Sequence, residues 1–352
     1  MGITVFGSLN YDLVTYTDRM PLAGETIRAN SFETHAGGKG LNQTIALARL
    51  KNTVDDYVVR MIGCVGQDSF GEQLLDLLKE SKVDVSAVRQ IENESTGTAT
   101  ILVEEQTGGQ NRILLTEGAN GRSTYTPAEL DVIFNSSKKE DSRGKSDYVV
   151  LQHEIPDPGS IILWVKENCP AHEIVFNPSP FHLLGAHIWA SVDILVVNEL
   201  EALQILESLY TREDYERFHG EIEIDFVQGY TKICQEFQKN LVYQSNSATV
   251  MITLGVRGAV FSSNAEKTVK YFPASRGIKV VDTTGAGDTF LGALITQLYR
   301  GNSLWEAVKI STIASSLAIQ KKGAAESIPS YAELCNYLKQ APCLSIGKLN
   351  TA

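Results

Sequence analysis

From the middle of the chain onward, short continuous apolar runs alternate with stretches in which apolar residues recur every three or four positions. The run DYVVLQ, Asp147 to Gln152, is a buried-strand pattern, and the amphipathic stretch SIILWVKEN from Ser160 follows it. EIVFN from Glu173 and DILVVN from Asp193 are two more strand patterns, the second leading into a helical ELEALQILESL from Glu199. ATVMITLG from Ala248 repeats the scheme. Strands that are almost entirely Val, Ile and Leu must be covered on both faces, and strand–helix–strand order makes them parallel. Right-handed crossovers then predict an α/β fold, a doubly wound, mostly parallel sheet sandwiched by helices.

Two segments break the rhythm. Leu13 to Thr34 carries a turn at Pro21–Gly24 and polar alternation, and TATILVEE from Thr98 and RILLTE from Arg112 flank Thr107–Gly108–Gly109–Gln110, a hairpin signal. Lacking crossover helices, these segments, 13–34 and 98–117, are expected to pair as a small antiparallel sheet. Arg212 to Asn246 is charged and weakly patterned, which predicts a peripheral helical insertion; 136–146 reads as a solvated loop and 341–352 as a frayed tail. Residues 1–340 are thus expected to form one α/β domain with this small sheet inserted in it.

Composition narrows the function classes. Of 352 residues, 43% are hydrophobic and 21% charged, an ordinary globular balance. The net charge of -11 argues against nucleic acid as a partner. Five cysteines without a C-x-x-C pair suggest reduced thiols, and six histidines without H-E-x-x-H argue against a zinc enzyme. The chain starts with a strand-like run at Ile3, and neither a leader nor a membrane span is visible, so a cytoplasmic location is expected, with nuclear presence left open.

The strongest chemical signal is VVDTTGAGDTFLGALITQL from Val280. It predicts a strand ending at Asp282, a glycine-bearing turn, and a helix beginning near Gly287. The first amides of such a helix lack intrahelical partners and face whatever lies in front of them. Gly285 and Gly287 keep side chains away, and Asp288 stands in the first turn. A carboxylate beside an amide-lined anion site suits phosphoryl transfer, the carboxylate taking a proton from an attacking alcohol. Serving only as a complement to the helix dipole is the bland alternative for Asp288. Neither G-x-x-x-x-G-K-[ST] nor a G-x-G-x-x-G after the first strand is present.

DTTGAGD, Asp282 to Asp288, closely resembles the C-terminal signature of the ribokinase, or phosphofructokinase B, family of carbohydrate kinases, and HAGGKGLNQ, His35 to Gln43, resembles its N-terminal signature. Motif order matches from Ile3 to about Pro329. The resemblance implies a central sheet of nine or so strands, a lid that serves as a homodimer interface, and ATP-dependent phosphorylation of D-ribose at its 5-hydroxyl. It implies Asp288 as base with Gly285, Ala286 and Gly287 as the anion hole. It implies sugar contacts from Asn10, Asp12, Gly38, Lys39, Asn42 and Glu154, and nucleotide contacts from Asn198, Thr253, Gly255, Gly258 and Gly287. Glu201, in the N-x-x-E run from Asn198, would hold Mg²⁺ through water. Asp282, Thr284, Ala318, Lys321, Gly323 and Ser327 would ring an activating K⁺. Ser311 stands near the expected adenine site. Other sugar or nucleoside kinases of the family, or a non-catalytic sensor on the same fold, remain open at this point.

Overall fold

The structure is a computed structural model that describes residues 2–107, 110–135, 147–242, 248–264 and 266–340. The expected loop at 136–146, the tail at 341–352, and Gly108 and Gly109 of the hairpin signal lie outside the described residues. In chain order the strands are β1 (Gly2–Phe6), β2 (Asn10–Thr17), β3 (Ser31–Gly37), β4 (Val58–Gly66), β5 (Asp84–Ile91), β6 (Gly97–Glu104), β7 (Gln110–Thr116), β8 (Asp147–Gln152), β9 (His172–Asn177), β10 (Ile194–Asn198), β11 (Thr249–Thr253), β12 (Ala259–Ser263) and β13 (Glu266–Phe272). The helices are α1 (Lys39–Arg49), α2 (Ser69–Glu80), α3 (Pro127–Asn135), α4 (Pro158–Asn168), α5 (Ala186–Ala190), α6 (Glu199–Leu209), α7 (Arg212–Ile224), α8 (Phe226–Glu236), α9 (Ala286–Tyr299), α10 (Leu304–Ala318) and α11 (Tyr331–Gln340).

Nine strands form one sheet in the order β13-β12-β11-β10-β9-β8-β1-β4-β5. It is parallel from β5 to β11 and antiparallel over the last two pairings. Residues of α1, α2, α9, α10 and α11 pack one face, and residues of α3 to α8 pack the other, giving the two apolar clusters that a doubly wound sheet requires. The apolar runs DYVVLQ and ILVVN are buried along nearly their full length, because each is pressed between helices on both sides.

The lid is a second sheet, ordered β3-β2-β6-β7. Both of its outer pairings are antiparallel, as expected, but the seam between β2 and β6 is parallel. The cause is topological: β2 follows β1 and β6 follows β5, and β1 and β5 run in the same direction in the large sheet. The lid also begins earlier than expected, at Asn10, so it carries sugar-site positions on its own strand.

Two further expectations need correction. The segment 212–246 is helical where described, but it is no peripheral addition: Phe218, Tyr230, Ile233, Cys234 and Phe237 are buried in the second cluster. Their spacing is apolar on one face only, which the many charges on the other face obscured. Val280 to Asp282 forms no strand. The segment is irregular, and the amides of Val281 and Asp282 both donate to the Ile319 carbonyl at the end of α10 instead of to a sheet neighbour.

Candidate active site

The ends of the parallel strands place the chemistry, as open α/β sheets commonly do. Chain leaving β1 carries Asn10 and Asp12, that leaving β8 carries Glu154, and β10 and β11 end on Asn198 and Thr253. Opposite them, α9 begins at the glycine-bearing turn.

Gly285 caps α9 with φ 74, a left-handed conformation that favours glycine, and no side chain caps the helix. The amide of Ala286 is tied to the Thr283 carbonyl (3.2 Å), and Ser315 of α10 pins the Ala286 carbonyl (2.9 Å). The first-turn amides of Gly287 and Asp288 have no intrahelical acceptor, so they face the cleft. Asp288 is buried, and both its oxygens accept amide hydrogens: Oδ2 from Asn42 Nδ2 and Oδ1 from Gln43 Nε2, each at 3.0 Å. The dipole-complement reading alone does not account for a buried carboxylate held by two side-chain amides of another helix.

The sugar-side residues converge behind Lys39 and Asp288. Glu154 Oε2 accepts the Lys39 amide (2.9 Å) and the Ser8 hydroxyl. Asn10 Oδ1 accepts from Asn120 Nδ2 (2.7 Å), which leaves its own Nδ2 group as the donor for a ligand. Gly37 is needed because a Cβ there would lie 2.3 Å from the Asp12 carboxylate. The adjacent Gly38 has φ 87 and starts α1. Burial, reinforced by the charges of Glu154, Glu326 and Asp288, pushes the Asp12 carboxyl up to about 7. Burial likewise raises Glu154, against the lowering influence of Lys39 and Ser8. Lys39 is half-buried and lines the cleft. Burial there lowers its pKa, but Asp288, Glu154 and Glu201 outweigh that and hold it above the usual lysine value. One ammonium thus sits among several carboxylates.

A cleft of about 580 Å³ opens from this point toward the β11–β12 edge. Lys39, Asn198, Glu201, Thr253, Gly255, Gly258, Gly285, Ala286, Gly287 and Asp288 all line it, so every predicted nucleotide residue borders this one cleft. The far end is apolar and open, with Val256 90% and Val280 51% exposed. Ser311 is not there. It is fully buried on α10, its hydroxyl donating to the Ala307 carbonyl (2.7 Å), and Thr312, Ser315 and Ser316 line the cleft instead. The helical phase puts Ser311 on the core side of α10.

Asn198 and Glu201 form a capping box on α6: Asn198 Oδ1 accepts the Glu201 amide (2.8 Å) and Glu201 Oε2 accepts the Asn198 amide (3.0 Å). The box uses one Glu201 oxygen, and the pull of Glu201 on Lys39 places its charge by the phosphate end of the cleft. A triphosphate enters such a carboxylate-rich site only with its charge partly neutralised, so the donor set fits a divalent cation arriving with the nucleotide, held through water.

Asp282 joins the two segments expected to flank K⁺. Its Oδ1 accepts from the Thr284 amide (2.9 Å) and hydroxyl (2.7 Å), and its Oδ2 from the Gly323 amide (3.0 Å). Ala318 and Ser327 are buried; the Ala318 carbonyl accepts the Lys321 amide (3.0 Å) and the Ser327 hydroxyl donates to the Ala324 carbonyl (2.9 Å). The Lys321 side chain pairs with Glu333 and takes no part. Asp282 thus ties the turn before α9 to the segment after α10 through N–H and O–H donors.

Sequence reasoning gave no role to Ser8, Gln43, Asn120, Gln152, Asn177 or Ser315, all of which brace the site. Gln43 stood inside the quoted HAGGKGLNQ signature; the others carry no local pattern, because their partners are distant in sequence.

The pattern of the pfkB family carbohydrate kinases matches residues 2–331. The chain belongs to this family. A ribokinase of Schizosaccharomyces pombe is 37% identical to it, across 95% of this chain and 96% of that protein. One from Lactococcus lactis is 33% identical, across 96% and 97%. Among solved structures, Arabidopsis thaliana ribokinase complexed with ribose and ATP superposes with a TM-score of 0.75 at 30% identity, covering 96% of this chain and 98% of that one.

Proposed function

We propose that this chain transfers the γ-phosphoryl group of ATP to the 5-hydroxyl of D-ribose, giving D-ribose 5-phosphate and ADP, with Asp288 as general base. One observation carries the reading. A buried carboxylate and open helix amides meet where a pocket of polar side chains joins a nucleotide-sized cleft. The relatives that match along nearly their full length are ribokinases, which supports ribose as the sugar.

Asn10 donates and Asp12 accepts, a pair suited to bridging two neighbouring hydroxyls. Asn42, Gly38 and Glu154 complete the sugar pocket, and Lys39 carries the positive charge between it and the phosphates. As the 5-oxygen attacks the γ-phosphorus, its proton passes to Asp288, the new O–P bond forms, and the bond to ADP breaks. The amides of Gly287 and its neighbours meet the charge on the transferring group. Bound Mg²⁺ would neutralise the phosphates and polarise the transferring group, with Glu201 orienting its waters. Thr253, Gly255 and Gly258 line the nucleotide wall.

K⁺ at Asp282, Thr284, Ala318, Lys321, Gly323 and Ser327 would fix the turn that shapes the anion hole, through main-chain oxygens and the Asp282 carboxylate. The lid exposes Phe32, Ile113, Leu114 and Leu115, an apolar set that supports homodimerisation through this sheet. No described helix is long and apolar enough to cross a membrane, and a cytoplasmic setting is part of the proposal.

ADP release measured with ribose, fructose, adenosine and no sugar tests the reading. Ribose is expected to give the highest kcat/KM. Preference for adenosine or fructose overturns the substrate, and no ADP release with any of them overturns the activity in favour of a sensor.

A further inference from the structure

Behind the base lies a chain of three side-chain amides that the reaction as described does not use. Gln43 is fully buried and donates from Nε2 to Asp288 Oδ1 (3.0 Å) and to Asn177 Oδ1 (3.1 Å). Asn177 at the end of β9 donates from Nδ2 to the Val196 carbonyl of β10 (2.9 Å), so its oxygen is the end turned to Gln43. Gln152 at the end of β8, also fully buried, donates from Nε2 to Gln43 Oε1 (2.7 Å). Each link fixes the direction of the next. A main-chain carbonyl, which can only accept, orients Asn177. Asn177 and Gln152 together leave Gln43 no favourable choice but to present its N–H groups to Asp288 and Asn177, since the flipped amide would set its oxygen against two acceptors.

This arrangement carries a cost that a purely structural role does not explain. Three polar side chains fill a volume at the heart of the sheet that apolar residues could fill, and Gln152 Oε1 is left without a partner. A Cβ on Gly7 would lie 2.1 Å from that same oxygen, so the residue just after β1 also makes room for the amide. A buried unpartnered oxygen is tolerated where the group it belongs to does something else.

We infer that Gln43 is a positioning residue for phosphoryl transfer: oriented by Gln152 and Asn177, it holds the Asp288 carboxylate in the rotamer in which it accepts the sugar proton. Asn42, on the other oxygen, is also assigned a sugar contact, whereas the Gln43 bond to Asp288 has no other assignment. The inference rests on Asp288 being the base. Other charged groups near Asp288 are Lys39 of α1, Asp12 of β2 and Glu154 after β8; none of them makes a hydrogen bond to Gln43 among the described contacts.

The test is Gln43→Met, which keeps length and volume but removes the amide. Assayed at saturating ribose and ATP-Mg²⁺, kcat is expected to fall roughly tenfold to a hundredfold while both KM values stay within about twofold. Gln152→Met, one amide farther from the base, should show the same signature at smaller size. A wild-type kcat in Gln43→Met overturns the inference. So does a loss confined to KM, which would make Gln43 a sugar-binding group, or a fall in kcat that Gln152→Met does not share, which would make it a packing residue. Should Gln43→Met fail to fold, Gln152→Met decides by the same signs. Asp288→Asn run alongside separates the two claims: an active Asp288→Asn sinks the base assignment, whereas an inactive one beside a normal Gln43→Met sinks only the positioning role.

Discussion

The two ends of the site are built in different ways. At the sugar end Asn10, Asp12, Asn42 and Asp288 are buried, and Asn10 and Asp288 are fixed by side-chain amides of the protein. At the nucleotide end the wall is glycine turns, main-chain atoms and exposed apolar side chains such as Val256 and Val280, with little side-chain hydrogen bonding. The difference matches what each ligand offers. A small polyol shows only hydroxyls and can be told from water and other sugars only by fixed donors and acceptors. A nucleotide offers a large flat base and a dense charge, which stacking surfaces, amides and a cation can hold with less side-chain specificity. Substitutions at the sugar end should therefore be severe and specific, and perturbations at the nucleotide end graded.

The largest break in that comparison falls at the junction. Asp288→Asn keeps the shape but turns one of the two accepting oxygens into a donor and removes the base, and kcat is expected to fall by roughly 10²–10⁴-fold. A wild-type rate in the purified variant would show that another group accepts the proton.

Next in size is Asp12→Ala. Loss of a charged acceptor costs about 1.5–3 kcal/mol, roughly a tenfold to hundredfold rise in the KM for ribose, with the KM for ATP unchanged. Because the Asp12 carboxyl titrates near 7 in the free protein and the ionised form is the acceptor, ribose KM in the parent should fall as pH rises through that value. Equal effects on ribose and ATP would dissolve the distinction between the two ends.

The same contrast governs what the sequence disclosed. Strands such as DYVVLQ and ILVVN and the turn before α9 were legible because each needs only its own residues: a continuous apolar run, or glycines beside a helix start. The signature residues Asp288, Lys39, Asn42 and Asp282 were legible through family resemblance, and the structure draws the sugar and nucleotide groups to one place. What stayed hidden depends on distant partners. Gln152 has meaning only beside Gln43, more than a hundred residues away in the chain. The parallel seam of the lid follows from where β1 and β5 sit in the sheet. The apolar face of α8 was masked by charges on its other face, and Val280–Asp282 looked like a strand although its amides are taken by Ile319.

A graded effect is expected from the cation at the nucleotide end. Replacing Na⁺ or Li⁺ with K⁺ at constant ionic strength should raise activity severalfold, chiefly in kcat or ATP usage, since the ion would act on the anion-hole turn and not on the sugar. Asp282→Ala should abolish the salt difference and lower activity even in K⁺. Identical rates in all three salts would remove K⁺ from the account and leave Asp282 as a hydrogen-bonded bridge between Thr284 and Gly323.

The smallest effect concerns stability, and its sign separates the sugar end from ordinary paired carboxylates. An unfolded Asp titrates near 3.8, whereas folded Asp12 titrates near 7 because burial and neighbouring carboxylates disfavour its charge. Below the unfolded value both states hold the proton and the site costs nothing. Between about 4 and 7 the folded protein binds a proton that the unfolded chain has released, so stability falls as pH rises across that window, and above 7 the cost is constant. The pKa difference sets that cost on the order of 1–4 kcal/mol, the lower figure allowing for water in the open site. Asp12→Asn removes the ionisation while keeping the shape, so the ligand-free variant should melt a few degrees higher than the parent at pH 8 (about 1–4 °C), with the gap shrinking toward pH 5. The variant that binds ribose less well should therefore be the more stable protein. A gap that is absent at pH 8, or that widens as pH falls, would mean that the Asp12 carboxylate is already neutralised by a partner in the free protein, and that the sugar end is no more strained than the nucleotide end.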